Sequence, residues 1–99
     1  MYFDKVLAKE PDNIDALYNK CLSLFYAEKL DEAESATVRL VKMDAKNFSV
    51  WDQLAIVWAT MGKGKDAQIA AKIGEALQKD DIETAKNLAE KLKIDVSFE

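Results

Sequence analysis

Few side chains in this sequence are equipped for chemistry, and their spacing decides what they could do. Histidine is absent, which removes the usual general base near neutral pH and the commonest nitrogen ligand for metals. Cys21 is the single cysteine. One thiol builds neither a thiolate zinc site nor an intrachain disulfide, and its place on an apolar helix face reads as packing. Gly62-Lys63-Gly64-Lys65 sets two lysines beside two glycines, but without the spacing of a phosphate-cradling loop it reads as a turn. Asp80-Asp81 with Glu83 is too sparse for a calcium loop and suits helix capping. The remaining paired carboxylates fall on polar helix faces. The expectation is therefore no catalytic set, no metal or cofactor site, and no enzyme.

Elements must then be sought for binding. Ninety-nine residues suit one small domain. Hydrophobic residues at 49% exclude a disordered chain, and 32% charged residues suit a water-facing surface. Three Gly, one Pro and the lack of β-branched runs leave little material for sheet, so the chain reads as all-α. A net charge of −4 argues against a nucleic-acid face, which needs clustered Lys and Arg. No apolar run is long enough to span a bilayer and no leader precedes the first helix, so no membrane partner is expected. With a lone cysteine as well, the expected compartment is cytoplasmic.

Taken in order, about six helices are predicted. Over residues 2–10, Tyr2, Phe3, Val6 and Leu7 share one face before Glu10-Pro11 stops the helix. Asn13 caps a helix to about Ala27, with Leu17, Cys21 and Leu24 inward and Tyr18, Leu22 and Phe25 as a second apolar stripe. Asp31 with Glu34 resembles a capping box for the next helix, whose inward residues are Ala33, Thr37, Leu40 and Val41. Asn47 caps a helix carrying Trp51, Leu54, Ala55 and Trp58, ended by Gly62. The helix over 65–79 is rich in small residues, and Gly74 within it points to a close helix crossing. A short break follows, where Asp80 and Glu83 offer another capping box. A helix over 82–93 with Ala85, Leu88, Ala89 and Leu92 would cap the end. In the tail, 94–99, Ile94, Val96 and Phe98 alternate with polar residues as an extended segment would. A loosely ordered terminus is the favoured expectation there.

The spacing Trp51, Leu54, Ala55, Trp58, Ala67 and Ala71 recurs 34 residues earlier as Leu17, Lys20, Cys21, Leu24, Ala33 and Thr37. Kinds of residue agree at all of these positions except Lys20. This resembles the tetratricopeptide repeat, a helical hairpin stacked into a superhelix, with Ala55 for the family's usual Gly and Trp58 for its usual Tyr. The resemblance implies a single repeat domain over 1–99: part of a repeat at 2–11, repeats at 13–46 and 47–79, a capping helix at 80–93 and a tail. It also implies a module that binds a peptide or helix of a protein partner in a concave groove. The alternative is a structural, self-associating segment of a larger array. The unpaired face of the N-terminal helix would offer a route to a homodimer.

In that family the first helix of each hairpin lines the groove. Here this places an apolar floor of Leu22, Phe25 and Ile56, with Tyr18 as a further anchor, under a polar rim of Asp15, Asn19, Asp52 and Gln53. Acids on the rim favour an apolar segment with basic flanks. The family's clamp for an acidic C-terminus is not expected, because Tyr18 and Leu22 stand at its cationic and amide places and Gln53 replaces an asparagine.

Overall fold

Each helix begins and ends where a particular interaction satisfies backbone groups that the helix itself leaves free. The computed structural model describes Lys9 and residues 13–98; the expected N-terminal helix face, with Tyr2, Phe3, Val6 and Leu7, lies outside them. Among the described residues there are five helices: α1 (Ile14–Tyr26), α2 (Leu30–Met43), α3 (Phe48–Thr60), α4 (Gly64–Gln78) and α5 (Ile82–Lys91). The all-α expectation holds.

The helix boundaries repeat. Asn13, Asn47 and Asp81 are the N-caps of α1, α3 and α5, each 34 residues after the last. Their side chains accept from the backbone N–H of Ala16 (3.0 Å), Ser49 (3.0 Å) and Thr84 (3.2 Å). Lys29 and Lys63, again 34 apart, precede α2 and α4, and neither caps with its side chain. Between the helices of each hairpin stands a residue of positive φ, Glu28 (61°) and Gly62 (85°). The N–H of the residue after each reaches back into the helix, Lys29 to the Leu24 carbonyl (2.9 Å) and Lys63 to that of Trp58 (2.8 Å). This is the 6→1 closure of a helix C-terminus. Asp80 (φ 58°) closes α4 likewise, with the Asp81 N–H on the Ala76 carbonyl at 2.8 Å. Two hairpins, α1–α2 and α3–α4, therefore share one geometry, and α5 starts at the same step of the 34-residue period.

Two expected capping boxes are corrected. Asp31 does not cap α2, which starts one residue earlier at Leu30. Glu34 is drawn instead to Trp58 and Lys63, as described below. At α5 the cap is Asp81 rather than Asp80, because Asp80 takes the left-handed turn. Thr84 fills the place given to Glu83, its hydroxyl donating to the second Asp81 oxygen at 2.7 Å.

Consecutive helices pack on one another, so α4 lies against both α3 and α5 and serves two hairpins at once. One core cluster runs through the stack, with Leu17 and Cys21 from α1, Leu40 and Val41 from α2, Trp51 and Leu54 from α3, Ile73 from α4 and Ala85 from α5. Gly74 marks a close crossing, as expected. A Cβ added there would stand 2.5 Å from Asp52 Oδ1 and 3.4 Å from the Phe48 carbonyl. Ala71 is exposed, because Ala67, Ala70, Ile73 and Gly74 already form the buried face of α4.

The tail overturns the expectation of a loose terminus. After Lys93 (φ 59°) the chain turns back, and Phe98, 4% exposed, stacks on Trp51 with ring centroids 6.2 Å apart. Ile94 and Val96 pack partly buried against the core.

Gly62→Ala tests the repeated turn. No atom stands within 4 Å of the added Cβ, yet the left-handed backbone should cost about 1–2 kcal/mol. Thermal unfolding should show the loss, and an unchanged midpoint would mean that the turn is not held at positive φ.

Candidate functional site

On α1 the predicted groove residues divide by burial. Asp15 and Asn19 are exposed, and the Asn19 side-chain amide donates to the Asp15 carbonyl of its own helix at 2.9 Å. Tyr18, Leu22 and Phe25 are partly buried, Tyr18 packing on the core. Phe25 meets the Tyr26 ring edge-on at 5.6 Å, and Tyr26 is 78% exposed. Tyr26 was not among the predicted residues. Its signal is that it extends the apolar run of Leu24-Phe25 to the end of α1.

On α3 a ridge forms at helical spacing. Phe48, Asp52 and Ile56 follow one another at four-residue intervals, so they lie along one side of the helix. Phe48 is 40% and Ile56 49% exposed, both large apolar groups left facing water. Between them burial raises the Asp52 carboxyl above its ordinary range, which disfavours its charge. A cation brought beside it would offset that cost. Phe48 is not among the expected groove residues.

Gln53 is corrected. It was placed on the polar rim, but it is 5% exposed, and its side-chain nitrogen is buried with no hydrogen-bond partner. The cause is its spacing: with Val50 and Val57 it sits on the inward side of α3, three and four residues away.

Ile56 also borders a shallow groove of about 420 Å³, formed with Ala55 and Ala59 of α3 and Gly64, Ala67, Gln68 and Ala71 of α4. Its floor is almost wholly methyl groups and glycine. Neither Tyr18, Leu22 nor Phe25 lines it, so the structure does not gather the α1 and α3 candidates into one cavity among the described residues. The groove has a counterpart. Ala55, Ala67 and Ala71 stand 34 residues after Cys21, Ala33 and Thr37, all three of which are fully buried. In the second hairpin Ala67 stays buried, but Ala55 is partly and Ala71 fully open.

Cys21 and Thr37 lie inside the first hairpin. Burial pushes the Cys21 thiol up, which suits packing rather than a nucleophile. The Thr37 hydroxyl donates to the Ala33 carbonyl at 2.6 Å. At the junction of the hairpins, Glu34 Oε2 accepts from Trp58 Nε1 and from Lys63 Nζ, both at 2.7 Å. The Lys63 donation, with Trp58 adding to it, holds the Glu34 carboxyl below its ordinary range against the desolvation of its site. Among the described residues no three acidic or thiol groups gather as a metal site would require, and no helix is long and apolar enough to cross a membrane.

Compared with known proteins, the chain matches no family model, no curated protein and no solved structure.

Glu34 generates a prediction with a definite sign. Its folded pKa lies below the unfolded one, so its stabilising effect is present above the ordinary carboxylate range and is lost as pH falls through the folded value. Glu34→Gln keeps an acceptor for the indole and removes only the charge. It should cost at most about 1 kcal/mol at pH 7, since the pair is partly exposed. That difference should shrink as pH falls below the ordinary carboxylate range and vanish below the lowered folded value. Glu34→Ala strands the buried indole N–H and should cost about 1–3 kcal/mol. Chemical unfolding at a series of pH values checks both, and a gap that widens in acid would contradict the assignment.

Proposed function

We propose that this chain is a protein-interaction module of helical-hairpin repeats, similar to the tetratricopeptide repeat, that binds an apolar segment of a partner protein through the α3 ridge. The observation carrying this reading is the exposed pair Phe48 and Ile56 flanking a carboxylate whose charge is disfavoured where it stands. Exposed aromatic and aliphatic side chains set on a rigid helix are the usual anchors of an interface. A partner helix or strand offering apolar side chains about two turns apart, with Lys or Arg between them, matches in shape and charge. The repeat architecture suits the role because each hairpin holds its first helix in a fixed orientation.

A second reading rests on the groove at Ala55, Ala67 and Ala71. Its equivalents in the first hairpin are fully covered, so this surface also suits a further hairpin or a second copy in a larger array. Sedimentation across a concentration series separates the two. A monomer throughout favours a ligand module, while association abolished by Ala71→Lys favours the array.

Selection of peptides from a random display library on the full chain tests the first reading. The enriched sequences should carry a basic residue between apolar ones. Ile56→Asp should lower their affinity at least tenfold, about 1.4 kcal/mol, while leaving stability within about 0.5 kcal/mol. Enrichment of acidic sequences, or binding untouched by Ile56→Asp, would reject the ridge.

A further inference from the structure

The second hairpin keeps the register of the first but is covered from the other side. Glu34, Thr37 and Val41 lie along one side of α2, where Glu34 bonds to Trp58 of α3 and the other two are fully buried. One repeat later, Gln68, Ala71 and Glu75 are all exposed. The opposite flank shows the reverse. Ser35, Arg39 and Lys42 of α2 face water, whereas their counterparts Ile69, Ile73 and Ala76 turn inward. There Ile73 and Ala76 share a core cluster with Ala85 and Ala89 of α5. Helix α5 therefore leaves open the side of α4 that α3 covers on α2. The sequence explains the switch. Val50, Gln53 and Val57, on the side of α3 turned away from Ala55 and α4, are buried. At the same places α5 carries Thr84, Asn87 and Lys91, all exposed. Such a face gains little by lying over methyl groups.

We infer that the open groove of Ala55, Ile56, Ala59, Ala67 and Ala71 is the seat for an amphipathic helix of another protein, held as α3 is held on the first hairpin. The occupant carries aliphatic side chains seven residues apart, an uncharged one between them, and a basic residue at the end nearest Asp52. The first hairpin supplies the shape. Its small residues at these places, Cys21, Ala33 and Thr37, are fully buried beneath a packed helix, and methyl groups in the second admit a backbone as closely. Asp52 supplies the charge. Its carboxylate lies against Gly74, three residues past Ala71, and closes one end of the groove. A second copy of the chain is a poor occupant. Among the described residues, α1 offers Ala16, Asn19 and Ser23 at the covering places, with Ala16 already buried, and the matching face of α3 is spent on its own first hairpin. The inference rests on the chain being an interaction module. It narrows the partner from an apolar segment to a helix and adds α4 to the contact.

The probe is a labelled, alanine-rich peptide of about 18 residues, long enough to be helical by itself. It carries the side chains of Val50, Gln53 and Val57 at their own spacing, with one lysine a turn away. By fluorescence anisotropy it should bind the full chain saturably. Ala71→Arg places a long charged side chain in the groove at an exposed position and should weaken binding at least about tenfold. A proline in the middle of the peptide should do the same, since only a helix presents the three side chains on one face. No saturable binding, or binding untouched by Ala71→Arg or by the proline, overturns the inference. If Ala71→Arg loses its helical circular dichroism, Gln68→Arg, also at an exposed position lining the groove, takes its place under the same criteria. Display-selected ligands weakened by Ile56→Asp but not by Ala71→Arg would overturn the groove while upholding the ridge. Self-association abolished by Ala71→Arg would give the groove to a second copy and overturn the partner.

Discussion

Two buried indole N–H groups fix how the second hairpin sits on the first. Trp51 and Trp58 are both almost fully buried on α3, where an unsatisfied donor is costly. Their acceptors lie on the preceding repeat. Trp51 Nε1 donates to the Ala45 carbonyl at 2.7 Å, just after α2, and Trp58 Nε1 donates to Glu34 within α2. Large aromatic area supplies adhesion of no particular direction, whereas these bonds specify position along α2 at two points. Sliding or rotating α3 would strand one donor or the other. The pairing of Lys63 with the same Glu34 oxygen extends the fixed point to the start of α4.

Much of the fold was legible because the repeat is written in small residues and caps. Asn13 and Asn47 cap as read, Gly62 takes positive φ, and Gly74 crosses another helix closely. The same 34-residue step from Asn47 reaches Asp81, and from Trp51 and Leu54 it reaches Ala85 and Leu88. Helix α5 was therefore in register all along, although the junction before it is one residue shorter than that before α3 and α4 is one residue longer than α2. What escaped was tertiary. Glu34 looks like a capping residue until an indole and an ammonium from the next repeat claim it. Nothing local reveals that Phe98 finds a ring 47 residues away.

The site was less legible, for a related reason. Stepping along α3 by three or four residues found Asp52 and Ile56 but set Gln53 beside them, since an amide is expected to face water. Burial on a helix is decided by angle, and Gln53 shares its angle with Val50 and Val57. The same geometry makes Phe48 part of the ridge, four residues before Asp52. On α1 the candidates were right in sharing an apolar stripe, yet Tyr18 is partly spent on the core, and the outward aromatic there is Tyr26.

Because each helix packs mainly on its sequence neighbours, most contacts close over short stretches of chain. Such a topology folds quickly, since little loop entropy is lost before contacts form. Phe98 on Trp51 is of another kind. It joins α3 to the tail across the whole of α4 and α5 and gains nothing until both are in place. The ring contact is then among the last to form and the first to open. The helical stack can complete its folding with one face of Trp51 still waiting for its cover.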